Sequence, residues 1–258
     1  MYNDVQHHHI DDHGVSDSEL RAEVYALLGT LLRQPPTEAL RRWLAELEPD
    51  PSPTPSEEAL CHAWQALAAA AAESDAEHLE RAHFRHLVGV IQGDVLPYAS
   101  WYRNGQLMDI ALVDLRKDLR QLGIQRNTDQ HDPEDHLGAL FEVMVMLLQD
   151  EAVAMTAVSS THAATSETSA CDAISRHAVQ HHAADFFQRH IAPWASRCLH
   201  DLSQVDTAFY SALGSLGQAF MTLENERYND LVNRYAEAGQ PLRIVTPTAT
   251  INDMRRER

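Results

Sequence analysis

The chain has 258 residues, long enough for a large core, and its 38 acidic against 20 basic side chains give a formal net charge of −18. That balance excludes nucleic acid and anionic membrane surfaces as natural partners; it suits a basic partner or simple solubility. Abundant alanine and leucine, only 10 glycines and 7% aromatics, with no alternating β-branched runs, exclude a sheet-rich fold and predict an all-α protein.

Residues 1–15 read as a tail without fixed structure that carries His7, His8, His9 and His13. It has neither a basic n-region nor an apolar h-region, and no later stretch approaches the length of a membrane span, so a cytoplasmic protein without stable membrane insertion is expected. A helical domain is expected over 16–236. Ser16 and Glu19 form a capping box for a first helix whose Leu20, Val24, Leu27, Leu28 and Leu31 make one apolar stripe. A second helix carries Leu40, Trp43, Leu44 and Leu47 and ends at EPDPSPTPSE, which its prolines keep from being helical. Two further helices follow, in SEEALCHAWQALAAAAAE and DAEHLERAHFRHLVG. The cysteines Cys61, Cys171 and Cys198 are far apart and odd in number, which fits reduced packing residues better than disulfides or a zinc ribbon.

Next comes VIQGDVLPYASWYRNGQLM, punctuated by Gly93, Pro97 and Gly105 and unusually aromatic for a loop, with Tyr98, Trp101 and Tyr102. Such a loop is tucked under the core or is a binding surface. A helix with Leu112, Leu115, Leu119 and Leu122 stops at Gly123. DPEDH then precedes LGALFEVMVMLL. By capping logic Asp132 is an N-cap, Pro133 the first helical residue, and Glu134 and Asp135 add charge at the positive end of the helix dipole. Capping does not ask for the imidazole of His136. Residues 156–172 are small and polar and are expected to form a hinge, which leaves a monomer and a domain-swapped dimer both open. Beyond it, Pro193 can start a helix, and a last long helix is expected from about 206, with a non-helical tail over 237–258.

No phosphate-binding glycine loop, GxSxG elbow or HExxH occurs. His177, His181, His182 and Asp185 form an incomplete ligand set, so no metal is assigned. Asp135 and His136 could serve a small metal-dependent or acid/base enzyme, which is the alternative reading.

LPYASWY, DPEDHLGALFEVM and FFQRHIAPWASRCLHDLSQVDTAFYSALGSLGQAF, in this order, resemble the TorD/DmsD family of molybdoenzyme maturation chaperones over residues 16–230. The resemblance implies an all-helical, non-catalytic cytoplasmic chaperone. Such a chaperone binds the twin-arginine signal peptide and apo form of a molybdopterin-dependent oxidoreductase of the dimethyl sulfoxide reductase superfamily until its cofactor is inserted. It implies no resident cofactor, although some members bind a guanine nucleotide or molybdopterin. The family's motif maps onto Ser100, Tyr102, Pro133, Asp135 and His136; with Tyr98, Trp101, Asp132 and Glu134 these are the expected peptide- and client-binding residues. Trp194 and Phe209 match too, but large aromatics on helical stripes are expected in the core. Where the family carries an aromatic and a Gly-Pro pair, this chain has LVGVIQG at 87–93.

Overall fold

The computed structural model describes residues 17–48, 54–90, 92–125, 132–161 and 182–237. Among them the fold is helical, and the one extended pairing is an isolated antiparallel bridge between Tyr98 and His136. The helices are α1 (Asp17–Arg33), α2 (Glu38–Ala45), α3 (Pro55–Glu73), α4 (Ala76–His83), α5 (Ala99–Asn104), α6 (Ile110–Gln121), α7 (Leu137–Thr161), α8 (Ala195–Ser203) and α9 (Ala208–Glu237). Thr37, Thr54 and Asp75 cap α2, α3 and α4 by accepting from backbone amides, and Pro55 fills the first turn of α3, where no N–H partner is needed.

Helix α1 lies along α7, while α9 packs on α3 and α8. Tyr25 joins the layers, meeting Phe141 edge-on at 5.2 Å and Phe220 at 4.8 Å. Trp194 and Phe209 are fully buried in the core, as their helical spacing predicts. Trp43 is half exposed, unlike the rest of the apolar residues expected to be inside on α2. With Leu20, Leu27 and Trp64 it lines an open apolar groove between α1, α2 and α3.

Two π-helical turns interrupt the α geometry, Phe84–Val88 after α4 and Phe187–Ile191 after the short helical stretch 182–186. Each carries an Arg-His pair that shares a carboxylate, Asp94 in the first and Asp118 in the second. Buried His86 bonds Asp94 through Nδ1 at 2.7 Å and Thr207 through Nε2 at 2.8 Å, tying the first turn to the start of α9. In the second turn, His190 and Arg189 both reach Asp118 of α6 at 2.7 Å, and burial lowers the His190 pKa in spite of that carboxylate.

Besides the exposure of Trp43, the structure departs from the sequence-based expectations at the start of α7. Helix α7 starts at Leu137, five residues after the expected N-cap Asp132, because Asp132–His136 is spent on turns and on the bridge to Tyr98. It runs to Thr161, so the first residues of the expected 156–172 hinge are helical; 162–172 lie outside the described residues, as do Cys171, His177, His181 and both chain ends. Of the histidine-rich segment only His182 and Asp185 are described, and Asp185 accepts from Arg189 at 3.3 Å.

Helices α1 and α7 meet at two glycines. A Cβ on Gly138 would stand 2.8 Å from the Gly29 carbonyl oxygen and 2.6 Å from Arg33 Cγ, too close without a backbone shift. If the crossing were loose, alanine would help α7 through its propensity. Gly138→Ala is instead expected to lower the unfolding free energy by about 1–3 kcal/mol in urea titrations.

At the other end of the same interface, Arg21 donates twice to Glu224 at 2.8 Å, and the Tyr25 hydroxyl donates to Glu224 at 2.9 Å. Glu151 sits in this acidic neighbourhood, and burial pushes its carboxyl up to about 7 from 4.5. The folded state thus holds this proton more tightly than the unfolded chain. The stabilisation is complete below about pH 4.5 and is lost as the pH rises through 7. Glu151→Gln should therefore be the more stable protein at pH 8, by about 1–3 kcal/mol, with a flatter stability profile between pH 5 and 7 in denaturant melts.

Candidate functional site

The loop before α5 and the turn before α7 are sewn together by backbone. Ala99 N–H donates to the Asp135 carbonyl at 2.9 Å, and Leu137 N–H donates to the Pro97 carbonyl at 2.7 Å. The Asp135 side chain adds a third stitch, its Oδ2 accepting from Ser100 N–H at 2.9 Å. Ser100 Oγ in turn accepts from Met108 N–H at 3.1 Å, holding Met108 at the positive φ of 59° that non-glycine residues rarely adopt. Aspartate and serine at these positions are needed because each satisfies a backbone amide that the irregular loop leaves without a helical partner.

His136 is the N-cap of α7. Its Nδ1 accepts from Gly138 N–H at 3.0 Å, which places the ring proton on Nε2 and requires a neutral ring. Burial lowers its pKa to about 4, although Asp132 pulls the other way, and its ring meets Tyr98 edge-on at 5.1 Å. Burial also pushes the Tyr98 phenol up to about 12, with Asp132 and Asp135 adding to the shift.

These residues line a pocket of about 280 Å³ whose apolar walls include Leu87, Val88, Leu107 and Met108. Of the nine residues expected to bind a partner, Tyr98, Ser100, Asp132, Pro133, Asp135 and His136 come together here. The other three do not. Glu134 bonds Arg116 in a neighbouring cleft of about 670 Å³ between α6 and α7, and Asp132 stands on the ridge between the two. Tyr102 stacks on Trp194 at 5.6 Å and donates to Asp201 at 2.7 Å, while Trp101 is 39% exposed.

Two pocket residues carry no motif signal in the sequence. His83, the last residue of α4, is 4% exposed, and burial lowers its pKa to about 4. Arg33 reaches the pocket from the end of α1 and bonds Glu142 at 2.5 Å. His83 lies at the point where the chain leaves α geometry for the π turn Phe84–Val88.

The model of the nitrate reductase delta subunit family matches residues 54–200, more than half of the chain. The chain belongs to this family. Its members are system-specific molybdoenzyme maturation chaperones of the TorD-like kind, not enzymes, in agreement with the resemblance in the motifs. No curated protein matches the sequence. The match spans the pocket-forming loop, the DPEDH turn and both π turns, and leaves out α1, α2 and all of α9. No described helix is long and apolar enough to cross a membrane.

Because His136 caps α7 only while neutral, its contribution to stability is full above pH 6.5 and is lost as the pH falls through about 4. His136→Asn keeps an acceptor for Gly138 N–H; His136→Ala does not. The alanine variant should lose about 1–2 kcal/mol at pH 7, the asparagine variant less, and both should show a shallower acid limb in denaturant midpoints between pH 7 and 5.

Proposed function

We propose that this chaperone acts in the cytoplasm by binding the twin-arginine signal peptide of a molybdoenzyme precursor at the pocket formed by the Tyr98–Ser100 loop and the Asp132–His136 turn, assisting cofactor insertion before export. The observation that carries the reading is the pairing of carboxylates with apolar walls in one site, Asp132 and Asp135 beside Leu87, Val88 and Met108. A twin-arginine signal has the matching order of chemistry, a paired cationic segment followed by an apolar one. Exposed Trp101, next to the pocket lip in sequence, offers a further aromatic face to a guanidinium or an apolar side chain. The formal charge of −18 favours encounter with a basic segment.

A panel of signal peptides from several molybdoenzymes, each with a twin-lysine counterpart, tests this by calorimetric titration. One peptide is expected to bind in an arginine-dependent way and so to identify the client. Asp135→Asn should weaken that binding at least tenfold in low salt. A panel that is silent throughout would redirect the reading to the folded body of the catalytic subunit.

A further inference from the structure

Two polar atoms in the pocket wall are buried without a hydrogen-bond partner, His83 Nε2 and Asp135 Oδ1. Both are acceptors. The ring of His83 bonds the backbone of Leu32 in a way that favours its protonated form, which is a donation from Nδ1–H to the carbonyl oxygen. With the ring neutral, Nε2 is left with a bare lone pair. Asp135 already spends Oδ2 on Ser100 N–H, so Oδ1 is the free half of an ionisable group that is 0% exposed. Buried acceptors left open are costly, and two of them on residues that line one cavity from different elements call for a ligand that brings donors to both.

We infer that this pocket takes the side chain of a single arginine, its guanidinium donating to Asp135 Oδ1 and His83 Nε2 while its methylene stem lies against Leu87 and Met108. The inference rests on the peptide-binding reading for the source of that arginine. A guanidinium fits because its N–H groups fan out in one plane and can serve two acceptors at once, and because it is less strongly hydrated than an ammonium. The volume, about 280 Å³, falls below the roughly 300–1,000 Å³ usual for drug-sized ligands, and so suits one side chain better than a nucleotide. The charges agree. The wall carries the carboxyl side chains of Asp132 and Asp135, and the arginine on it among the described residues, Arg33, is already paired with Glu142.

The assignment makes His83 a specificity residue, which can be tested apart from the peptide. The full chain is titrated with agmatine, a guanidinium on a four-carbon stem that ends in an amine, and with N-carbamoylputrescine, in which a neutral urea group replaces the guanidinium. Both titrations are repeated on His83→Leu, which keeps much of the bulk and removes the lone pair. Agmatine is expected to bind at least tenfold more tightly than the urea and to compete with the client peptide. His83→Leu should weaken agmatine and peptide at least tenfold while the melting temperature stays within a few degrees of the parent. Should that variant unfold, the same comparison is made with a client peptide in which each arginine in turn is replaced by citrulline; one position alone is expected to cost tenfold or more. Equal binding of agmatine and urea, or peptide affinity indifferent to both His83→Leu and citrulline, overturns the inference and leaves peptide binding standing. Arginine-selective binding of agmatine with no peptide bound on any panel member would keep the guanidinium pocket and overturn the signal peptide as its source.

Discussion

The close crossing of α1 and α7 is the constraint on which the site depends. With hydrogen at Gly29 and Gly138, the two backbones come near enough for the end of α1 to reach into the turn before α7. That approach sets the Leu32 backbone beside His83, and Arg33 beside both Glu142 and the capping ring of His136. The other end of α1 is held by the buried Arg21–Glu224 pair, in which each charge is satisfied by the other and by tyrosine hydroxyls. Removing one partner from such a pair leaves a buried charge alone, which makes it a device for fixing register more than for adding stability. One helix thus carries a steric contact near one end and an ionic contact near the other.

The DPEDH turn divides its labour by residue. Asp132 and Pro133 stay at the pocket edge, Glu134 turns to Arg116, Asp135 sews down the loop before α5, and His136 opens the helix. The carboxylate that fixes Ser100 with one oxygen keeps the other buried and without a hydrogen-bond partner in the pocket wall, and the first bond holds that second oxygen in place. His83 is similar: its ring bonds the Leu32 backbone of α1, while its Nε2 is buried without a partner.

Helical periodicity made most of the fold legible, down to the burial of Trp194 and Phe209, because an apolar stripe needs only local sequence to be recognised. The start of α7 was misread for a physical reason. Asp-Pro-Glu satisfies every local rule for a helix N-terminus, but the bridge between Tyr98 and His136 and the backbone bonds to Pro97 and Ala99 outweigh it, and those partners lie more than thirty residues away. Similarly, the stacking of Tyr102 on Trp194 and the pairing of Glu134 with Arg116 were not legible, because neither partner is a sequence neighbour. His83 was hidden because an imidazole at the end of an ordinary amphipathic helix has no motif; only the folded chain brings it to Asp135.

The two π turns bear on how this sequence can drift. A π turn holds one residue more than the α turn it replaces, so each is equivalent to a single-residue insertion accommodated within a helix. Losing one residue from Phe84–Val88 would restore regular winding and rotate everything after it by roughly 100°. His86 would then swing away from Asp94 and Thr207, and the chain leading to Tyr98 would leave the helix in a new direction. The same deletion in Phe187–Ile191 would unhook His190 from Asp118. Chain length and the histidine's bonds are therefore coupled at both turns, whereas an apolar substitution on the flanking stripes leaves the winding unchanged.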